Sequence, residues 1–229
     1  MSKSIAGIYS GLAFVRRRFP INWRAFITAF VLVLTLLASF LLIRYTSYRS
    51  VQAKFYGEAL VPAKAAYDFH LVDQNGKAFQ LSQLHGKLVL FSFGFTHCPN
   101  ICPTTLSDLA KVYRALPDKA RSNVQVMFVS IDPWRDRPEV LKKYVPYFDP
   151  SFIGLTGTDD QIAAAAKAYG ATYEKMHHPG EDQDVYFMNH SAFTYLISPD
   201  GNWKLLYDFD LLNDTEKIVA DIEHVLAGG

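Results

Sequence analysis

The stretch Lys87–Leu116 reads KLVLFSFGFTHCPNICPTTLSDLAKVYRAL, and its texture changes midway. Lys87–Phe95 is an almost unbroken apolar and aromatic run of strand length, which suits a strand buried on both faces of a sheet. From Pro103 to Leu116 the apolar residues Leu106, Leu109, Ala110 and Tyr113 recur at helical spacing. Val124–Ile131 (VQVMFVSI) is a second strand of the buried kind. Strand, helix and strand in that order make a parallel crossover unit.

Outward from this unit, Tyr67–Val72 and Lys77–Leu81 flank the turn signal Asp73-Gln74-Asn75-Gly76 and read as a β-hairpin. Asp136 and Glu139 are spaced like the two halves of an N-terminal capping box, opening a helix to about Tyr147. Ser151–Leu155 reads as a short strand, Asp159–Tyr169 as an alanine-rich helix, and Asp214–Leu226 as a closing helix. Phe193–Ser198 and Trp203–Phe209 pair across Pro199-Asp200-Gly201. Helices alternate with strands and the last two strands form a hairpin, so the class is α/β with a mixed sheet covered on both faces.

The 229 residues are half hydrophobic, with 23 Lys+Arg against 22 Asp+Glu, which excludes a disordered or collagen-like chain. Residues 1–43 carry Lys3, Arg16, Arg17, Arg18 and Arg24 and no acid, leaving a body of net charge −4. A mildly acidic body without a basic cluster argues against nucleic acid as a partner. Within the N-terminal part, Ala25–Ile43 (AFITAFVLVLTLLASFLLI) is free of charge and interrupted only by Thr28, Thr35 and Ser39. As a helix it reaches roughly 28 Å, close to the hydrocarbon thickness of a bilayer. A buried core helix would show a polar face; a cleaved signal peptide, with Val51-Gln52-Ala53 as its site, is the minority alternative. Four arginines precede the span against Arg44 and Arg49 beyond it, which favours a cytoplasmic N-terminus. Arg16-Arg17-Arg18-Phe19 also brushes the twin-arginine export pattern. Residues 44–66 mix charges, small residues and Pro62, and read as a tether.

The two cysteines of the chain, Cys98 and Cys102, fall where the central strand gives way to the helix. A structural disulfide closing so short a loop adds about 2 kcal/mol at most, which a domain of this size does not need. A strand-to-helix turn places sulfurs near backbone N–H groups and the positive end of the helix dipole, which favours thiolate. Thiolate is both the nucleophile of disulfide exchange and a ligand for soft metals. Residues four apart on a helix have Cβ atoms ~5–6 Å apart, beyond the ~3.8 Å of a disulfide but within reach of one ion, whereas an irregular loop would still allow a disulfide. Two thiolates suit Cu(I), and an added imidazole holds Cu(II) as well.

Seven histidines are available as a third ligand. His85, in a Gly-flanked turn, and His224, in the last helix, read as solvated surface residues. His177 and His178 sit in a loop beside Met176 and Pro179. His97 adjoins Cys98, and neighbours rarely point at one ion. His190 immediately precedes a strand, at a junction of the kind that can lie beside a first crossover, though composition alone reads it as a core or loop histidine.

The strings Gly94–Pro103 (GFTHCPNICP), Ser130–Glu139 (SIDPWRDRPE), Gly154–Gly157 (GLTG), His190-Ser191, Tyr195-Leu196 and Pro199–Gly201 together resemble the Sco/SenC family. The resemblance covers residues 67–226. It implies a membrane-tethered, thioredoxin-like copper protein that assists assembly of the binuclear copper centre of cytochrome c oxidase. It implies copper, as Cu(I) or Cu(II), held by Cys98, Cys102 and His190, with Asp132 and Arg135 in a nearby structural loop. Where the family usually has aspartates, this chain has Asn100 and Asn189.

The expected organisation is a cytoplasmic tail (1–24), a transmembrane helix (25–43), a linker (44–66) and a thioredoxin-like copper-binding domain (67–229). The expected setting is the bacterial inner membrane with the domain in the periplasm, or the mitochondrial inner membrane with the domain in the intermembrane space. Expected partners are the copper-bearing oxidase subunit, an upstream copper donor and, through the N-terminal helix, the bilayer. The alternative to copper delivery is a thiol–disulfide oxidoreductase, with Cys98 and Cys102 as a redox-active pair that keeps a partner's cysteines reduced.

Overall fold

The computed structural model describes residues 23–177 and 186–229. The arginines at 16–18 and His178 therefore lie outside the described residues. The chain divides into two compact units, 1–46 and 47–229.

Helix α1 runs Trp23–Gln52, longer than the 19-residue apolar stretch, and is long and apolar enough to cross a membrane. None of its residues is buried, so its Phe, Leu and Val side chains face the surroundings, as they do in lipid. The Thr28 hydroxyl donates to the Arg24 and Ala25 carbonyls and that of Thr35 to the Leu32 carbonyl, so both threonines are satisfied within the helix.

In the second unit the strands are β1 (Glu58–Ala65), β2 (His70–Asp73), β3 (Ala78–Gln80), β4 (Leu88–Gly94), β5 (Val124–Ser130), β6 (Ile153–Thr156), β7 (Tyr173–Met176), β8 (Phe187–His190), β9 (Thr194–Ile197) and β10 (Asn202–Tyr207). The helices are α2 (Ile101–Ala115), α3 (Asp118–Arg121), α4 (Pro138–Tyr144), α5 (Asp159–Ala168), α6 (Phe209–Leu212) and α7 (Thr215–Leu226). Eight strands form one sheet in the order β1-β10-β9-β4-β5-β6-β2-β3. The pairs β4–β5 and β5–β6 are parallel and the others antiparallel, the mixed sheet expected. All seven residues of β4 are buried. Successive strand side chains point to opposite faces, so the sheet is covered on both sides. Phe91 stacks on Tyr195 and meets Tyr169 edge-on at 4.9 Å in each case, anchoring a central aromatic cluster.

Three expectations are corrected. Residues 58–65, read as part of a tether, form edge strand β1 on β10, and the preceding helix extends to Gln52. The attachment is long-range: the buried Asp221 carboxylate of α7 accepts from the Tyr56 and Gly57 amides (3.0 and 2.9 Å). The Gln52 side chain bonds the Gly57 carbonyl and the Ala59 amide, both at 2.8 Å. Asp136 and Glu139 form no capping box. Helix α4 starts at Pro138, whose ring presets the first helical φ and removes an orphan N–H, and Asp136 turns inward instead. The helix stops at Tyr144 and a 3-10 turn covers Val145–Tyr147, because Pro146 cannot continue the α-helical ladder. Finally, β7 and β8 form a separate two-stranded sheet that pattern reading missed.

Candidate metal and thiol site

The parallel strands β4 and β5 end side by side, Gly94 opposite Ser130. The loops beyond such strand ends line the crevice in which α/β sheets place their ligands. One loop (95–100) leads into α2 and carries Cys98; another (131–137) leads into α4. Cys98 is half-buried in a turn whose Cys98 amide donates to the Phe95 carbonyl, and Cys102 is buried in the first turn of α2. Cys98 thus lies before the helix, so the four-residue spacing is not a helical repeat.

His190 is the last residue of β8 and comes from the opposite direction. Its Nε2 lies 3.5 Å from Cys102 Sγ, while Nδ1 lies 3.0 Å from the Ser191 carbonyl. An Nδ1–H bond to that carbonyl presents Nε2 as the free electron pair. Phe95 meets the imidazole edge-on, ring centres 5.8 Å apart. The two sulfurs and a ring nitrogen all fall within 4.8 Å of one another, and this is the group of three such ligands found among the described residues.

The two thiols are unequal. Cys98 is pulled down to about 4, chiefly by a hydrogen bond from the Cys102 side chain, with further bonds from the Cys102 and Asn100 backbones; burial opposes this. Cys102 is pushed up, because its thiol is the partner of that bond and is itself buried. The pair thus favours the thiolate on Cys98 and keeps the proton on Cys102.

The loop that positions Cys98 is held by Asp136, which is fully buried. Its carboxylate accepts from the Thr96 amide (2.9 Å), the Thr96 hydroxyl (2.6 Å) and the Ser130 hydroxyl (2.7 Å). Burial raises its pKa despite these three donors. Asp132 and Arg135, expected as structural, pair with each other, and Asp132 also accepts from the Tyr186 hydroxyl (2.6 Å).

Of the histidines, only His190 joins the cysteines among the described residues. His97 is exposed, its Nδ1 4.0 Å from Asp136 Oδ1. His70 and His85 are exposed, and His177 is exposed with its ring 5.9 Å from that of Tyr186. His224, read as a solvated residue, is half-buried against Phe55. Sequence reading missed Gly94: a Cβ there would lie 2.8 Å from Cys102 Sγ and 2.6 Å from the Phe128 ring. A glycine at the end of an otherwise bulky strand, next to the cysteine loop, was the available signal.

A mixed sheet with a dithiol at its strand–helix crossover and an imidazole brought across to it defines a thioredoxin-like domain bearing a Cys–Cys–His cluster. The family model described as SCO1/SenC matches residues 58–227, and the chain belongs to the SCO1/SenC family. The chain is similar to a SCO2-like protein of Rickettsia felis, 42% identical over 157 residues, 68% of this chain and 74% of that protein. Its fold is similar to the solution structure of apo Sco1 from Thermus thermophilus, with 42% identity, a TM-score of 0.68, and coverage of 75% of this chain and 96% of that one. It is also similar to the structure of Bradyrhizobium japonicum ScoI with copper bound: 35% identity, TM-score 0.61, 70% of this chain and 98% of that one.

Proposed function

We propose that this protein is a membrane-anchored copper carrier, in which Cys98, Cys102 and His190 bind copper and pass it to the copper-bearing subunit of cytochrome c oxidase during assembly. The observation that carries this reading is the convergence of two sulfurs and an imidazole nitrogen within 4.8 Å. Thiolates favour Cu(I), and the borderline imidazole extends the set to Cu(II). Copper is cargo here, and the half-exposed Cys98 is the side from which a recipient's ligands can approach while buried Cys102 holds on. The copper in the Bradyrhizobium ScoI structure supports the choice of metal. The destination is supported by BsSco, described as a member of a family of cytochrome c oxidase assembly proteins. In the same reading residues 1–24 are a cytoplasmic tail and 25–43 the span. The domain then faces the periplasm, or the intermembrane space in a mitochondrion, and receives copper from an upstream donor.

The test uses the full chain in detergent with its cysteines reduced. One copper per chain and a thiolate-to-Cu(II) charge-transfer absorption are expected. Cys98→Ser and Cys102→Ser each abolish binding, whereas His190→Ala keeps some two-coordinate Cu(I) and loses the Cu(II) absorption. In copper-limited cells all three variants lose oxidase activity, and added copper partly restores it. Normal oxidase assembly with His190→Ala, but not with either cysteine variant, would sink metal delivery.

The unequal thiols favour a second reading, dithiol reduction of a partner. The Cys98 thiolate attacks a partner disulfide and expels one partner thiolate. Cys102, losing its proton, then attacks the Cys98 sulfur and releases the second. Two electrons pass to the partner and a Cys98–Cys102 disulfide remains.

A further inference from the structure

We propose that Tyr186 is a latch: it holds the His190-bearing hairpin against the cysteine loop, and so decides whether the site offers three ligands or two. The proposal rests on the copper-site reading given above. Its starting point is that, among the described residues, β7 and β8 pair only with each other and not with the eight-stranded sheet. Sheet hydrogen bonds hold β4, four residues before Cys98, and β9, four residues after His190, but strand β8, which carries His190 itself, is bonded to β7 alone and leaves the sheet. Contacts at the base of the hairpin, between Thr172 and Ser191, bond the hairpin to itself.

Tyr186, immediately before β8, is 4% exposed, whereas every described residue of the two strands is half-buried or exposed. It is gripped in three ways by a single loop, residues 131–137. Its hydroxyl donates to Asp132 Oδ1 at 2.6 Å. Its carbonyl accepts from Arg135 Nη1 at 3.0 Å. Its ring lies under the Arg135 guanidinium, whose central carbon is 3.7 Å from the ring centre, and Lys175 of β7 has its ammonium at the same distance. Arg135 is in turn paired with Asp132, so hydroxyl, ring and carbonyl meet one ion pair.

The same loop, through Asp136, holds the Thr96 amide and hydroxyl two residues before Cys98. Two anchors on one loop thus carry the two halves of the site: Asp136 the cysteine side, and the Asp132–Arg135 pair the histidine side. Tyr186 touches none of the three ligand residues; it is a positioning residue that acts through the strand leading to His190. Removing its hydroxyl keeps the ring contacts but removes the bond that fixes the ring's far end. The hairpin then loosens while the cysteines stay in place.

The experiment compares the full chain, in detergent and reduced, with Tyr186→Phe and His190→Ala. In the metal-free protein, Tyr186→Phe is expected to speed hydrogen exchange of β7 and β8 amides at least about tenfold, leaving β4 and β5 unchanged. With copper, Cu(II) affinity falls about tenfold and the imidazole nitrogen hyperfine signal weakens, while Cu(I) affinity changes far less. Adding Asp132→Ala to Tyr186→Phe costs no further Cu(II) affinity beyond that of Asp132→Ala alone, as expected of two groups sharing one bond. Unchanged hairpin exchange overturns the latch whatever the copper result. Faster exchange with unchanged Cu(II) affinity overturns the positioning role, provided His190→Ala weakens Cu(II). If His190→Ala also leaves the Cu(II) signal intact, the copper-site reading itself fails and the ligand-setting role falls with it. Should Tyr186→Phe not fold, Asp132→Asn is read in the same way, and wild-type hairpin exchange in that variant overturns the latch.

Discussion

At the scale of single residues, the difference between the two thiols has a direct chemical readout. Cys98, pulled down to about 4, has a folded pKa below its ordinary value, so its thiolate persists as pH falls until about 4. The stabilisation this gives the folded protein is fully present above the ordinary thiol pKa and is lost as pH falls through about 4. Alkylation of the reduced, metal-free protein by iodoacetamide should therefore stay nearly constant between pH 6 and 8 at Cys98, where an ordinary thiol slows roughly tenfold per unit. Cys102 should stay unreacted, being protonated and buried. A Cys98 rate that climbs steeply from pH 6 to 8 would refute the assignment. Both asparagines are exposed, so a charge placed on either acts through screened water. Asn100→Asp should tighten copper binding, more at low salt than at high. Asn189 faces Glu174 directly across the hairpin, so Asn189→Asp sets two carboxylates opposite each other and should gain less. Competition titration at two salt concentrations measures both; equal gains, or none, would show that Coulomb attraction is not what these positions control.

At the scale of elements, the end of β4 meets the start of α2 at Gly94. A methyl group there overlaps Cys102 Sγ and Phe128, neither of which is the free end of a flexible side chain. Gly94→Ala should cost about 1–3 kcal/mol in urea unfolding and weaken copper binding by shifting Cys102. A variant with wild-type stability and affinity would show that the strand end gives way freely. The elements that bear the site were legible where burial imposes a period. Strand β4 reads as a strand because neighbours on both faces must be apolar, and α2 because Leu106, Leu109 and Ala110 line its buried side. Asp136 was misread because a capping pattern is local, whereas its partner Thr96 lies 40 residues earlier. Strands β7 and β8 were missed because four-residue strands with exposed Glu174, Lys175, Phe187 and Asn189 have no buried face to set an alternation. The cysteine pair announced itself by type and place. His190 did not, since nothing in its neighbourhood separates a ligand from a loop histidine; the family resemblance singled it out, and the geometry then placed it beside Cys102.

For the whole molecule, the apolar part of α1 predicts that the protein stays in the membrane fraction after an alkaline wash and leaves it only with detergent. Recovery in the wash would mean that the segment is cut off or does not span. A periplasm-active reporter fused after Gly229 should work if the arginines before the span set its direction. Edge strand β1 was illegible in the sequence because its ties are to distant partners, β10 and Asp221. Those ties also govern where the chain can be shortened. A fragment starting at Glu58, chosen from the family's matched region, deletes Gln52 and both amides that Asp221 binds, and strands a buried carboxylate. A fragment starting at Ser47 keeps all of them. The longer fragment should melt several degrees higher, and crystallisation or spectroscopy of a lipid-free form is best begun there.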